Sequence, residues 1–126
     1  MPLRNYHEDE PMVLSSVLLL ELHHQWCRQR IELDPIDVDL PVGAVLAKTS
    51  SGAVTAYLKA AEADKAFAML VTPVKASDKK QTVVGVVRGA VVSAANLHFL
   101  EAVTEAQKKT ALEQLAALGI VPEEID

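Results

Sequence analysis

The chain has one cysteine, Cys27, so no internal disulfide can staple the fold and the fold needs no oxidising compartment. Rings are nearly as scarce. Trp26, Tyr6, Tyr57, Phe67 and Phe99 are the only aromatics, which predicts a core of Val, Leu, Ile and Ala and few ring-lined ligand pockets. The 12 lysines and arginines are scattered and outnumbered by 17 acids, for a net charge of −5. That leaves no basic stripe on which a nucleic acid could release its counterions, and nucleic acid is excluded as an expected partner. No apolar run approaches the length of a membrane span, so no membrane partner is expected either. The run from Val13 to Leu22 is interrupted by Ser15 and Ser16, is preceded by acids and precedes no small-residue cleavage site, which argues against a signal core.

What is present suits one domain: 126 residues, half of them apolar, enough to bury a core unaided. Residues 1–11 carry His7, Glu8, Asp9, Glu10 and two prolines with little apolar content, too little to offset the entropy of ordering. Residues 1–20 are therefore read as an N-terminal arm, and residues 21–126 as a single β-rich domain. The arm can order by adding to another protein's sheet edge; a frayed terminus is the alternative. From Met12 to Leu22 leucines favour helix and β-branched residues favour strand, so both assignments stay open.

Alternation is clearer beyond. From Trp26 to Leu40, Arg28, Arg30, Glu32 and Asp34 share one parity while Cys27, Ile31 and Leu33 fall on the other, a strand pattern. Asp34-Pro35 turns the chain, and Ile36, Val38 and Leu40 then alternate with Asp37 and Asp39 before Pro41 and Gly43 break the run. Ala44 to Ala47, the turn cluster Thr49-Ser50-Ser51-Gly52, and Ala53 to Leu58 predict a hairpin. Lys59 to Lys65 reads as a connector able to form one helical turn, Ala66 to Val74 as a strand and Lys75 to Lys80 as an exposed loop. Thr82 to Val92 reads as one long strand whose Gly85 and Gly89 mark bulges, bends or close backbone approach. Near the C-terminus, Thr104 and Gln107 have capping-box spacing, Ala111, Leu112, Leu115 and Leu118 share a helical face, and Gly119 and Pro122 end the helix. Ile120 and Val121 then predict a last short strand. The expected class is mainly β (α+β), with one C-terminal amphipathic helix and a flexible N-terminal arm.

Few residues suggest chemistry. His23, His24 and Cys27 could hold zinc, but a tetrahedral site needs further convergent ligands, and on a strand the two histidines point to opposite faces. Cys27 as a nucleophile would need a base and an orienting group beyond His24. Asp34, Asp37 and Asp39 lack the glycine and closing glutamate of a calcium loop, and Gly85 and Gly89 match no phosphate-cradling pattern. No catalytic, cofactor or metal residue is therefore assigned. Arg88, inside a valine-rich run, must reach solvent, pair with a carboxylate or sit at a subunit contact, and it is the interface candidate.

The order of segments adds a resemblance. Pro41-Val42-Gly43-Ala44-Val45-Leu46-Ala47-Lys48 precedes a Ser-Gly turn; Ala66 to Val71 and Val83-Val84-Gly85-Val86-Val87-Arg88-Gly89-Ala90-Val91-Val92 follow; a helix closed by Leu118-Gly119-Ile120-Val121 comes last. Over residues 40–121 this resembles the head decoration (cement) proteins of lambda-type phages. The resemblance implies a compact β-rich fold and no catalysis. It also implies homotrimers on the outer capsid surface of the virion, made in the host bacterial cytoplasm, with an N-terminal segment that orders against the major capsid protein. Tyr6, His7, Met12, Val13 and Leu14 are then the expected capsid-contacting residues of the arm. The competing readings are a small metal-binding enzyme centred on His23, His24 and Cys27, and a β-rich phage tail or adaptor protein.

Overall fold

The computed structural model describes residues 14–57 and 65–123. In chain order the elements are α1 (Leu14–Val17), β1 (Leu18–Glu21), α2 (His24–Cys27), β2 (Arg28–Leu33), β3 (Val45–Lys48), β4 (Val54–Ala56), β5 (Lys65–Leu70), β6 (Gln81–Val86), β7 (Ala90–Ser93), a 3-10 turn (Ala94–Asn96), α3 (Glu105–Ala117) and β8 (Ile120–Glu123). The architecture is the expected β-rich one with a C-terminal helix. Strands β2-β4-β3-β5-β6 close into a barrel, and β1-β7-β8 form a separate three-stranded sheet.

Strand alternation divides the apolar residues between two cores. Leu46 on β3 joins Ile31, Leu33, Leu70 and Val83 in a cluster supplied by all five barrel strands, the barrel interior. Its neighbours Val45 and Ala47 face the other way and pack with Val17, Val92, Leu115 and Ile120, which join the barrel wall to the small sheet and to α3. The register shifts where Leu46 pairs with Ala68 and Ala47 with Ala66. Phe67 is the extra residue, and this bulge lets Ala66 face the outer core and Ala68 the barrel interior.

The hairpin β3–β4 turns at Thr49, whose N–H donates to the Ala53 carbonyl at 2.8 Å. The Thr104–Gln107 capping box is complete at the N-terminus of α3, and Gly119, at a φ of +88°, ends that helix in the left-handed conformation glycine adopts without a Cβ penalty. Ala111 and Leu115 are buried on the inner face of α3, Leu112 partly so. Leu118, placed on that face by its spacing, stays 46% exposed because it is the C-cap, where the helical phase has ended.

Four sequence readings are resolved or corrected. The long strand Thr82–Val92 is two strands in two sheets: Gly89, at a φ of +69°, turns the chain between β6 of the barrel and β7 of the small sheet. Residues 12–22 are neither helix nor strand alone among those described, since α1 passes directly into β1. Trp26 and Cys27 belong to α2 rather than to the strand that follows. The stretch Ile36–Leu40 also forms no strand, only single bridges from Ile36 to Ser77 and from Leu40 to Val74. Residues 59–64 of the expected connector lie outside the described residues.

Candidate assembly surface

The small sheet has one apolar face turned to solvent. Its inner side is fixed by Ala90, Val92 and Ile120, all buried. Register places Leu20 opposite Val91, and Val91 opposite Val121, so these three side chains form a row on the other face. Leu20 is 56% and Val121 45% exposed. Parity alone would give Leu20 the inward direction of Leu18, which packs on the core. The register shift between Leu18 and Leu20 reverses it, because a bulge's extra residue exchanges the two faces.

The patch extends past the end of β1. Leu22, 70% exposed, donates its N–H to the Gly89 carbonyl at 3.0 Å. Trp26, 53% exposed, lies so close to Gly89 that a Cβ there would meet its ring at 2.6 Å. The Arg88 guanidinium sits 5.5 Å from the Trp26 ring centroid and donates through Nη1 to the Trp26 carbonyl. Among the described residues Arg88 pairs with no carboxylate; it holds the exposed indole in place by a cation–π contact and a hydrogen bond. Beneath, Glu21 receives Nε and Nη2 of Arg28 at 2.7 and 3.0 Å, tying the end of β1 to the start of β2. That hydrogen-bonded carboxylate, against partial burial, raises the pKa of the Arg28 guanidinium.

Large aliphatic and indole surface left in water at adjacent positions is costly, and a contiguous exposed patch of it is a candidate contact surface.

The residues considered for metal chemistry are arranged otherwise. His23 is the N-cap of α2, its Nδ1 accepting from the Gln25 N–H at 3.3 Å. This turns its ring parallel to that of His24, with centroids 5.3 Å apart, instead of to the opposite face. The Cys27 thiol is buried and donates to the Gly89 carbonyl at 3.4 Å. Among the described residues, no three His, Cys, Asp or Glu side chains converge as metal ligands. Asp39 accepts from the Ala76 N–H at 2.8 Å and Asp34 lies 4.0 Å from Lys80, so these two acids are engaged with the 75–80 loop.

The family model of bacteriophage lambda head decoration protein D matches residues 8–120. The chain belongs to this family. Head decoration proteins are structural components of the phage capsid, not a class of enzymes, and this chain is accordingly a capsid-associated virion protein. No curated protein matches it.

In this decoration protein the sequence-assigned arm is only partly separate from the body. Val17 is fully buried and β1 is paired with β7, so residues 14–20 pack with the domain; Asn96 further ties α1 down by donating to the Ser16 carbonyl at 2.8 Å. Leu14 packs against the outer core, while Tyr6, His7, Met12 and Val13 lie outside the described residues. The apolar row Leu20–Val91–Val121 was not foreseen from sequence. The usable signal was the run Val17-Leu18-Leu19-Leu20 with no polar alternation, too apolar for one half-buried strand.

Proposed function

We propose that this decoration protein is a capsid cement: homotrimers bind the outside of the mature head, contact the major capsid protein and stabilise the shell, and the chain catalyses no reaction. The observation that carries this reading is the exposed row Leu20–Val91–Val121 with Leu22 and Trp26 beside it, an apolar contact face on a member of a capsid-binding family. A protein that binds only the expanded shell stabilises that state in proportion to its binding free energy, repeated at every site. Individual contacts can be weak, because three subunits held together engage the shell with the advantage of effective concentration.

The arm, residues 1–20, supplies the second contact. Its part 14–20 packs on the domain, and the segment before it gains backbone hydrogen bonds by adding to a capsid strand. Synthesis takes place in the host bacterial cytoplasm, where a fold without disulfides is at no disadvantage; neither nucleic acid nor membrane is a partner. Imaging of the phage that carries the protein tests the reading. Density on the outer head surface at three-fold positions, together with rupture of shells at lower temperature when the protein is omitted, is the expected result. Its location on the tail, or equal rupture temperatures, would refute the proposal.

A further inference from the structure

A groove of about 920 Å³ opens between the C-terminal turn of α3 and the barrel wall, and Arg88 is shared between it and the edge of the apolar patch at Trp26. Phe67, Val87 and Leu118 give it an apolar floor, Lys48, Lys65 and Arg88 stand around it, and no aspartate or glutamate of the described residues lines it. This reverses the sign of the whole chain, whose net charge is −5. Two of the cations are held in position: Arg88 by Trp26 and Lys48 by the Phe67 ring, 4.9 Å from Nζ to centroid. A groove with an apolar floor and fixed positive groups fits an acidic peptide that carries one aliphatic side chain.

The chain itself contains such a peptide. Its last residues are Glu123-Glu124-Ile125-Asp126, three carboxylates around one isoleucine, matching three cations around an apolar floor. We propose that the groove of one subunit receives this acidic segment from a neighbouring copy, an inference that rests on the trimeric reading above. Geometry favours a neighbour over the subunit's own segment. Strand β8 runs from Ile120 to Glu123, about 10 Å away from the helix end that borders the groove. Residues 124–126 would have to double back along the whole strand, and three residues span only about 10 Å. A contact in which one subunit's tail enters the next subunit's groove is heterologous, and three such contacts close a ring. Exposed ion pairs are individually weak and screened by salt, so the contact depends on closure of that ring.

A charge exchange tests it in the full-length protein. Three variants are compared with the wild type by sedimentation velocity at low salt: Lys48→Glu with Lys65→Glu, Glu124→Lys with Asp126→Lys, and all four substitutions in one chain. The expected result is self-association weakened at least about tenfold by either pair alone and restored by the four together, a recovery that misfolding cannot produce. Self-association unaffected by either pair, or not restored by the exchange, would overturn the inference, as would a wild type that is monomeric throughout. Shell binding measured on the same samples separates the two ideas. A monomeric wild type that still coats shells removes the tail contact and leaves the decoration reading standing; a charge-dependent trimer that never coats shells does the reverse.

Discussion

The Cδ1 of Ile31 lies 2.9 Å from the point where a β-carbon on Gly85 would stand, and the Met69 carbonyl oxygen lies 3.2 Å from it. Gly85 pairs with Gln29 on β2 and Leu70 on β5, so it sits where two barrel strands close on β6. There the missing side chain makes room for Ile31 in the barrel interior. Gly85→Ala is expected to cost about 1–3 kcal/mol by overpacking, read as a lower urea midpoint at unchanged slope. Ile31→Val in the same chain should return part of the loss, because the two positions are coupled. A neutral Gly85→Ala would show that the barrel does not depend on this approach.

The contact face separates stability from assembly. Leu20→Asp and Val121→Asp each place a charge at a residue already 56% and 45% exposed, respectively. The thermal midpoint should move by no more than about 0.5 kcal/mol in equivalent stability, while occupancy on shells falls sharply, because a buried unpaired carboxylate is costly at an apolar contact. Leu115→Ala behaves in the opposite way: full burial predicts a loss of about 2–5 kcal/mol.

Much of this was readable locally. The Ser-Gly hairpin turn, the Thr104–Gln107 box and the stop at Gly119 depend on residues within a few positions of one another, so sequence spacing is enough to find them. Gly85 and Gly89 show why the rest was not. Both interrupt the same valine-rich run, yet one is a strand residue emptied for Ile31 and the other a left-handed turn between two sheets. The difference comes from Trp26 and Cys27, packed against Gly89 from more than sixty residues away. On a strand His23 and His24 would point to opposite faces; the capping role of His23 at α2 stacks the rings instead. The outward turn of Leu20 likewise needs a bulge that only pairing with β7 defines.

His98 gives the fold an acid-side dependence. Its partial burial beside β3 lowers its pKa below the ordinary value of 6.5. The unfolded chain therefore binds a proton at this position before the folded one does, and stability falls as pH drops through about 6.5. The loss levels off once the pH is below the folded-state value. His98→Gln should flatten this part of the profile, measured as urea midpoints between neutral and mildly acidic pH; an unchanged slope would exclude His98 as its source.

Truncation at the right boundary distinguishes arm from body. Removal of residues 1–13 leaves α1, β1 and the fully buried Val17 in place, so the product should fold with a wild-type urea midpoint, followed by the fluorescence of the lone tryptophan, Trp26. Its occupancy on shells should be strongly reduced. Removal of residues 1–20 takes away Val17 and most of β1, and should destabilise the domain as well. Full occupancy by the shorter truncation would show that the arm makes no essential contact.

A decoration protein that grips the expanded phage head from outside must tell expanded shells from their precursors. Purified protein mixed with undecorated expanded shells of its own phage, and in parallel with unexpanded precursor shells, is separated by sedimentation and the bound protein quantified. Saturable binding to expanded shells and little to precursors is expected, with heat rupture of the coated shells delayed in proportion to occupancy. Protein that stays in the supernatant with expanded shells contradicts it.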